Sequence, residues 1–170
     1  MTIKTMTIKN RLSLAAAATL VAIPMAVQAD ATGSLTVTAQ VAPVCEIVTT
    51  ADVAFGTLDP TADNDLNGSI TWRCTNGTTT EILLDGGSVG GDGSSRQMVG
   101  LASNILPYQL YTEAGRSTPW LNTAGSGVSV TGTGYSTNSA LTVYGRVTQA
   151  DAAAAINDDY TDIVTVTILF

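Results

Sequence analysis

The chain has 170 residues, 14 of them acidic and 7 basic, with no histidine and a formal net charge of −7. That balance argues against a surface that gathers phosphates from nucleic acid or anionic lipid, and without imidazole the commonest general base and metal ligand is missing. The length suits one domain built on one core.

Lys4, Lys9 and Arg11 precede an uncharged, apolar stretch over residues 12–27, which is the layout of a secretory signal peptide. The stretch is shorter than the roughly 20 residues a membrane span needs, and Pro24 interrupts it. Val27 and Ala29 stand three and one positions before the expected cut, so the signal is assigned to residues 1–29 and the mature chain begins at Asp30. Its only cations are then Arg73, Arg96, Arg116 and Arg146, four against fourteen carboxylates, for a net charge of −10.

Over residues 34–41, Leu35, Val37, Ala39 and Val41 alternate with Ser34, Thr36, Thr38 and Gln40, which predicts a strand with one face to bury and one to wet. Short strands are expected next over 45–49, 69–75 and 79–84. Asn67-Gly68 and Asn76-Gly77 read as turns, because both residue types tolerate positive φ. Both also begin N-x-S/T sequons, for which the turn reading is preferred in an exported bacterial chain. Residues 86–95, rich in Gly and Ser, read as an irregular, mobile loop. Strands follow over 105–112, 127–131 and 141–148, then an Ala-rich helical turn or two over 149–156. One long final strand is expected over 160–170, with Val164, Val166, Ile168 and Phe170 on one face. The whole predicts an all-β sandwich or barrel.

Cys45 and Cys74 survive processing in a chain that leaves the reducing cytoplasm, so a disulfide between them is expected in preference to a metal or redox pair. On the chain-entropy model it contributes roughly 3 to 4 kcal/mol. Catalysis lacks its parts: no His, no Lys after processing, both cysteines oxidised, and no G-x-S-x-G elbow. The Asp158, Asp159 and Asp162 cluster is better read as a solvated loop than as a paired-carboxylate site. Asp63, Asp65, Asn67 and Gly68 reproduce half of a calcium loop, but Cys74 stands where the bidentate Glu belongs, so no metal is expected. The glycines at 86, 87, 90, 91 and 93 lack the Lys-Ser/Thr ending of a phosphate cradle and lie beside Asp85 and Asp92. No cofactor and no enzymatic activity are expected.

An ordered set of further features runs along the mature chain: Phe55-Gly56 with Leu58, Asp85-Gly86-Gly87, Arg96-Gln97-Met98, and Tyr108 with Leu110 and Tyr111. Arg116, Trp120, Tyr144-Gly145-Arg146-Val147 and Tyr160 with Asp162 complete it. With the two cysteines and the leading alternating segment, this set resembles the spore coat protein U domain family, which includes subunits of archaic chaperone-usher pili. One departure is Asp159 directly before Tyr160, where the family pattern generally carries a Gly at or near that point. The resemblance implies an incomplete immunoglobulin-like β-sandwich, lacking its seventh strand, whose groove is filled first by a periplasmic chaperone and then by the leading strand of the next subunit. On that pattern residues 30–44 form a donor extension and residues 45–170 a pilin-like sandwich. The expected donor residues are Leu35, Val37, Ala39 and Val41, and the acceptor groove is bordered by Val164, Val166, Ile168 and Phe170. The competing reading makes 34–41 the first strand of a complete sandwich in the same chain.

The expected function is that of a structural pilus subunit, reaching the cell surface through the periplasm and an outer-membrane usher, for surface attachment and biofilm formation. Its partners would be other copies of itself or related pilins, the chaperone and the usher, with no nucleic acid. The alternatives are a tip adhesin, or a stand-alone secreted coat protein with a binding role, using loops such as 86–95.

Overall fold

The alternation of apolar and polar residues becomes two antiparallel sheets in the computed structural model, which describes residues 28–170. The expected signal peptide lies outside the described residues except for its last two positions. The chain divides into two units, Met1–Ala39 and Gln40–Phe170. In the first, residues 28–39 carry no helix or strand and are exposed throughout. The strand expected over 34–41 therefore does not form. Alternation makes a strand only where a ladder and an apolar surface receive it, and Leu35, Val37 and Val41 are instead 89%, 85% and 82% exposed.

The second unit contains β1 (Cys45–Ala51), β2 (Asn64–Cys74), β3 (Thr79–Leu84), β4 (Arg96–Gly100), β5 (Ile105–Tyr111), β6 (Val128–Thr131) and β7 (Ser139–Val147). A single short helix, α1 (Gln149–Ala154), precedes β8 (Tyr160–Thr161) and β9 (Val166–Leu169). Six strands form one sheet in the order β1-β2-β7-β5-β4-β8, and three form the other in the order β6-β3-β9. Each sheet buries every second residue against the other: Ile70, Trp72 and Cys74 from β2, with Leu110 and Val143, meet Ile82 and Leu84 from β3, with Val166 and Ile168 half-buried beside them. At about 1.5 to 3 kcal/mol for each fully buried large apolar side chain, this layer is the main stabilising term. Trp120, wholly buried, satisfies its indole N–H by donating to the Ile82 carbonyl at 2.8 Å. A second, smaller cluster gathers Leu106, Val147 and Ala152 with Phe55, Leu58 and Tyr160. The fold is an all-β, incomplete immunoglobulin-like sandwich.

The Cys45–Cys74 disulfide is formed and ties β1 to β2 where the two cysteines face each other in register. Asn76-Gly77 is a turn, with Gly77 at φ +77°. Asn67-Gly68 is not: both lie inside β2, with Gly68 opposite Val143 on β7. The glycine serves a close approach there, since a Cβ would come within 2.5 Å of the Ala51 carbonyl oxygen and 2.8 Å of Val53 Cγ2. The long final strand is broken in two. Tyr160 and Thr161 pair with β4, residues 162–165 step across, and Val166–Leu169 pairs with β3. β4 itself was not expected, and residues 86–95 before it include a 3₁₀ turn, Gly87–Val89, closed by the Gly90 N–H donating to the Gly87 carbonyl, while Arg96 holds the loop at the Gly93 carbonyl. That guanidinium is 1% exposed and donates to the carbonyls of Leu84, Asp85, Gly93 and Trp120 and to Gln109 Oε1. α1 forms within the expected helical stretch, and the Thr148 hydroxyl accepts from the Asp151 N–H at its start.

Candidate functional site

β9 is an edge strand. It pairs with β3 on one side, and the sheet ends there. Beside it lies a cleft of about 990 Å³, walled by Ile70, Leu110 and Val143 from the large sheet, by Leu84 and Val166 from the small one, and by Val164 from the step that leads into β9. Residues 51–58 form a further wall. Their approach to the large sheet is allowed by two glycines: Gly68, already described, and Gly145, where a Cβ would come within 2.5 Å of Val53 Cγ1 and 3.0 Å of Phe55 Cζ. The lining also carries Asp52, Asp158, Asp159 and Asp162, so the cleft is mixed in character; its apolar side chains beside a strand edge can receive the apolar face of an alternating β-strand while the edge pairs its backbone.

The step from β8 to β9 is fixed by two carboxylates. Asp162 accepts from the Ser88 N–H at 2.6 Å, the Ile163 N–H at 2.8 Å and the Tyr108 hydroxyl at 2.5 Å. Asp85 accepts from the Gly87 N–H at 3.0 Å and the Thr165 N–H at 2.8 Å. Burial pushes both carboxyls up, but the bonds from Ser88 and Tyr108 at Asp162, and from Thr165 and Gly87 at Asp85, outweigh it and hold both below the ordinary range. Burial, and then the Asp162 carboxylate, push the Tyr108 phenol well above its usual value. Gly87, at φ +72°, leaves room for this lock, because a Cβ would stand 2.0 Å from Asp162 Oδ2. Asp85, Gly87, Arg96, Tyr108 and Asp162 all carried the family resemblance; their joint task of setting where the last strand crosses was not apparent from the sequence.

Of the four expected acceptor residues, Val164 and Val166 line the cleft. Ile168 packs on the main core opposite Ile82, and Phe170 is 62% exposed at the chain end. Leu35, Val37, Ala39 and Val41 lie in exposed chain outside any strand. Asp158 accepts from the Ala102 N–H at 3.0 Å and from Asn104 Nδ2 at 3.1 Å, closing the turn between β4 and β5, so this carboxylate and Asp162 serve structural bonds. The half calcium pattern lies along and just before β2, where its groups face arginines: Arg146 pairs with Asp65 at 2.7 Å and Asp63 at 3.5 Å, and Arg116 donates to Asn67 Oδ1 at 2.8 Å. Among the described residues no acidic or thiol cluster is arranged to hold a metal ion, and no helix is long and apolar enough to cross a membrane.

Residues 31–167 match the family model for the Spore Coat Protein U domain. The chain is 36% identical to Protein U of Myxococcus xanthus over 174 aligned positions, which cover 93% of this chain and 95% of that protein. Among solved structures it is similar to a chain of the CsuC–CsuE chaperone–tip adhesion subunit pre-assembly complex, from the archaic chaperone-usher Csu pili of Acinetobacter baumannii. The TM-score is 0.53 at 24% identity, over 76% of this chain and 40% of that one, a likeness of fold.

Proposed function

The chain belongs to the spore coat protein U domain family, and from that premise we propose that it is a structural subunit of an archaic chaperone-usher pilus, polymerised by strand donation between copies. The observation that carries the proposal is the cleft beside β9, which apolar side chains of both sheets line together with polar residues and which a strand edge bounds. The leading segment of another copy is the complementary element: Leu35, Val37, Ala39 and Val41 would enter the cleft, and the backbone between them would pair along β9. Four such side chains give a gross gain on the order of 6 to 12 kcal/mol before ordering costs. The exposure of this segment supports the reading, because large apolar side chains held in water on a regular alternation are poised for a partner.

On this reading Val164 and Val166 are the acceptor residues, and Ile168 supports their strand from the core. A periplasmic chaperone keeps the cleft covered before assembly, an outer-membrane usher receives the subunit, and the product is a surface fibre for attachment and biofilm formation. The likeness to a chain from a chaperone–subunit complex supports the chaperone's place. The role is structural rather than enzymatic. Replacing Leu35 and Val37 together by Asp should leave a folded, chaperone-associated subunit and abolish polymers; normal fibres from that variant would overturn the donor assignment.

The similarity to a chain from a complex with a tip adhesion subunit favours one second reading, a binding role at the fibre end. Cells lacking this chain distinguish the two. Loss of whole fibres fits the shaft, whereas intact fibres with lost adhesion fit the tip.

A further inference from the structure

The large sheet carries a second hollow, of about 400 Å³, on the face turned away from the small sheet. β5 sends Leu106 and Leu110 into the two core clusters, so Pro107, Gln109 and Tyr111 stand on its opposite face. These three form the floor of the hollow. Gln97 of β4 lies across from Pro107, Arg146 of β7 across from Gln109, and Pro119 across from Tyr111. The exposed Ser94 and Ser95 add hydroxyls to the lining, and Asp151 adds a carboxylate. Tyr108 and Arg96 border it from the core side, with the Tyr108 hydroxyl committed to Asp162.

The floor is fixed before any ligand arrives. Gln109 Nε2 donates to the carbonyls of Gly93 at 3.1 Å and Ser94 at 3.2 Å, and its Oε1 accepts from Arg96 and from the Leu110 N–H. A ligand is thereby spared the cost of ordering it. Several ligand classes do not suit the place. An added β-strand needs an unpaired edge, and β5 is bonded to β7 on one side and to β4 on the other. An anion needs a free cation, whereas Arg146 is held by both oxygens of Asp65 at 2.7 Å and has Asp63 at 3.5 Å. A wholly apolar ligand would strip water from the Ser, Gln and Asp groups without replacing its bonds. A pyranose ring meets none of these objections. Its C–H face can lie on the Tyr111, Pro107 and Pro119 rings, and its hydroxyls can bond Gln97, the two serines and Asp151. We infer that this hollow binds a neutral saccharide of one or two rings, a size that suits a site at the small end of the roughly 300 to 1,000 Å³ usual for ligand pockets. The inference does not depend on what fills the cleft beside β9.

The test is ¹⁵N–¹H NMR of the processed chain, titrated with the neutral disaccharides cellobiose, lactose and N,N′-diacetylchitobiose, and separately with glucuronate and with inorganic phosphate. At least one disaccharide should shift the amides of Gln97, Gln109 and Tyr111 saturably, while those of Val164 and Val166 stay in place. Tyr111→Leu keeps apolar bulk but removes the ring, and should weaken that binding about threefold to tenfold, the range an aromatic face supplies. Gln97→Ala, at a position outside both core clusters, should weaken it about threefold or more, and it decides the matter if the Tyr111 variant does not fold. The absence of a saturable shift with any of the three disaccharides would overturn the inference. Tighter binding of glucuronate or phosphate than of every disaccharide would overturn it by making the hollow an anion site. Unchanged affinity in Gln97→Ala and in a folded Tyr111→Leu would do the same, by placing the sugar elsewhere.

Discussion

Asp162 holds three donors, two of them from distant parts of the chain, so its removal is felt at the cleft wall as well as locally. Tyr108→Phe deletes the donated hydroxyl and leaves a half-buried carboxylate short of a partner, which should cost about 1 to 3 kcal/mol in urea unfolding. The sign of the pH dependence follows from the direction of the shifts. Asp85 and Asp162 have folded-state values below the ordinary range, so the stability they contribute is complete above the unfolded carboxyl value near 3.8 and is lost as pH falls through their lower folded values. Glu113 behaves alike: the Ser117 hydroxyl and backbone N–H hold it at about 2, below its ordinary 4.5. Stability measured between about pH 6 and pH 2 should therefore decline with acid, and Asp162→Asn should flatten that decline. An unchanged slope in the Asn variant would show that Asp162 does not contribute to it.

Among elements, the bend that carries residues 84–96 around Arg96 depends on one side chain. Arg96→Lys keeps the charge but not the planar fork that reaches four carbonyls and Gln109. It should lower stability by about 3 kcal/mol or more and raise amide exchange through residues 86–95, a loss that a lysine able to make the same bonds would not produce. Reducing the Cys45–Cys74 bridge should cost about 3 to 4 kcal/mol and lower Tm by roughly 10 °C, read by scanning calorimetry with and without reductant. Most strands were legible because their patterns are local: β1, β3, β5 and β6 fall where alternation predicts them. The elements that escaped are set from a distance. Gly68 reads as a turn until residues 51–53 are seen crossing over it, and the last strand reads as continuous until Asp85, more than seventy residues upstream of Thr165, is seen to bond the step. β4 escaped for a similar reason. Its first residue is an arginine following a Gly/Ser-rich run, and its place depends on pairing to both β5 and β8.

At the scale of the whole molecule, the sequence shows both faces of the proposed docking pair without showing where the fold puts them. The regular faces of Leu35 to Val41 and of Val164 to Phe170 are visible as patterns. Two further facts are not: the first stays unpaired in this chain, and the second divides so that two of its members line the cleft, one joins the core and one is exposed. The wall formed by residues 51–58 has no alternation to reveal it and depends on glycines in two other strands. Strand donation between copies is tested most directly by carrying a photo-reactive phenylalanine at Val37 in fibres assembled from equal parts of ¹⁵N-labelled and unlabelled subunits. After illumination, mass spectrometry should find residue 37 joined to residues 53–58 or 164–166 in mixed-label as well as same-label pairs. Adducts in same-label pairs alone would mean that each chain fills its own cleft, which contradicts the account.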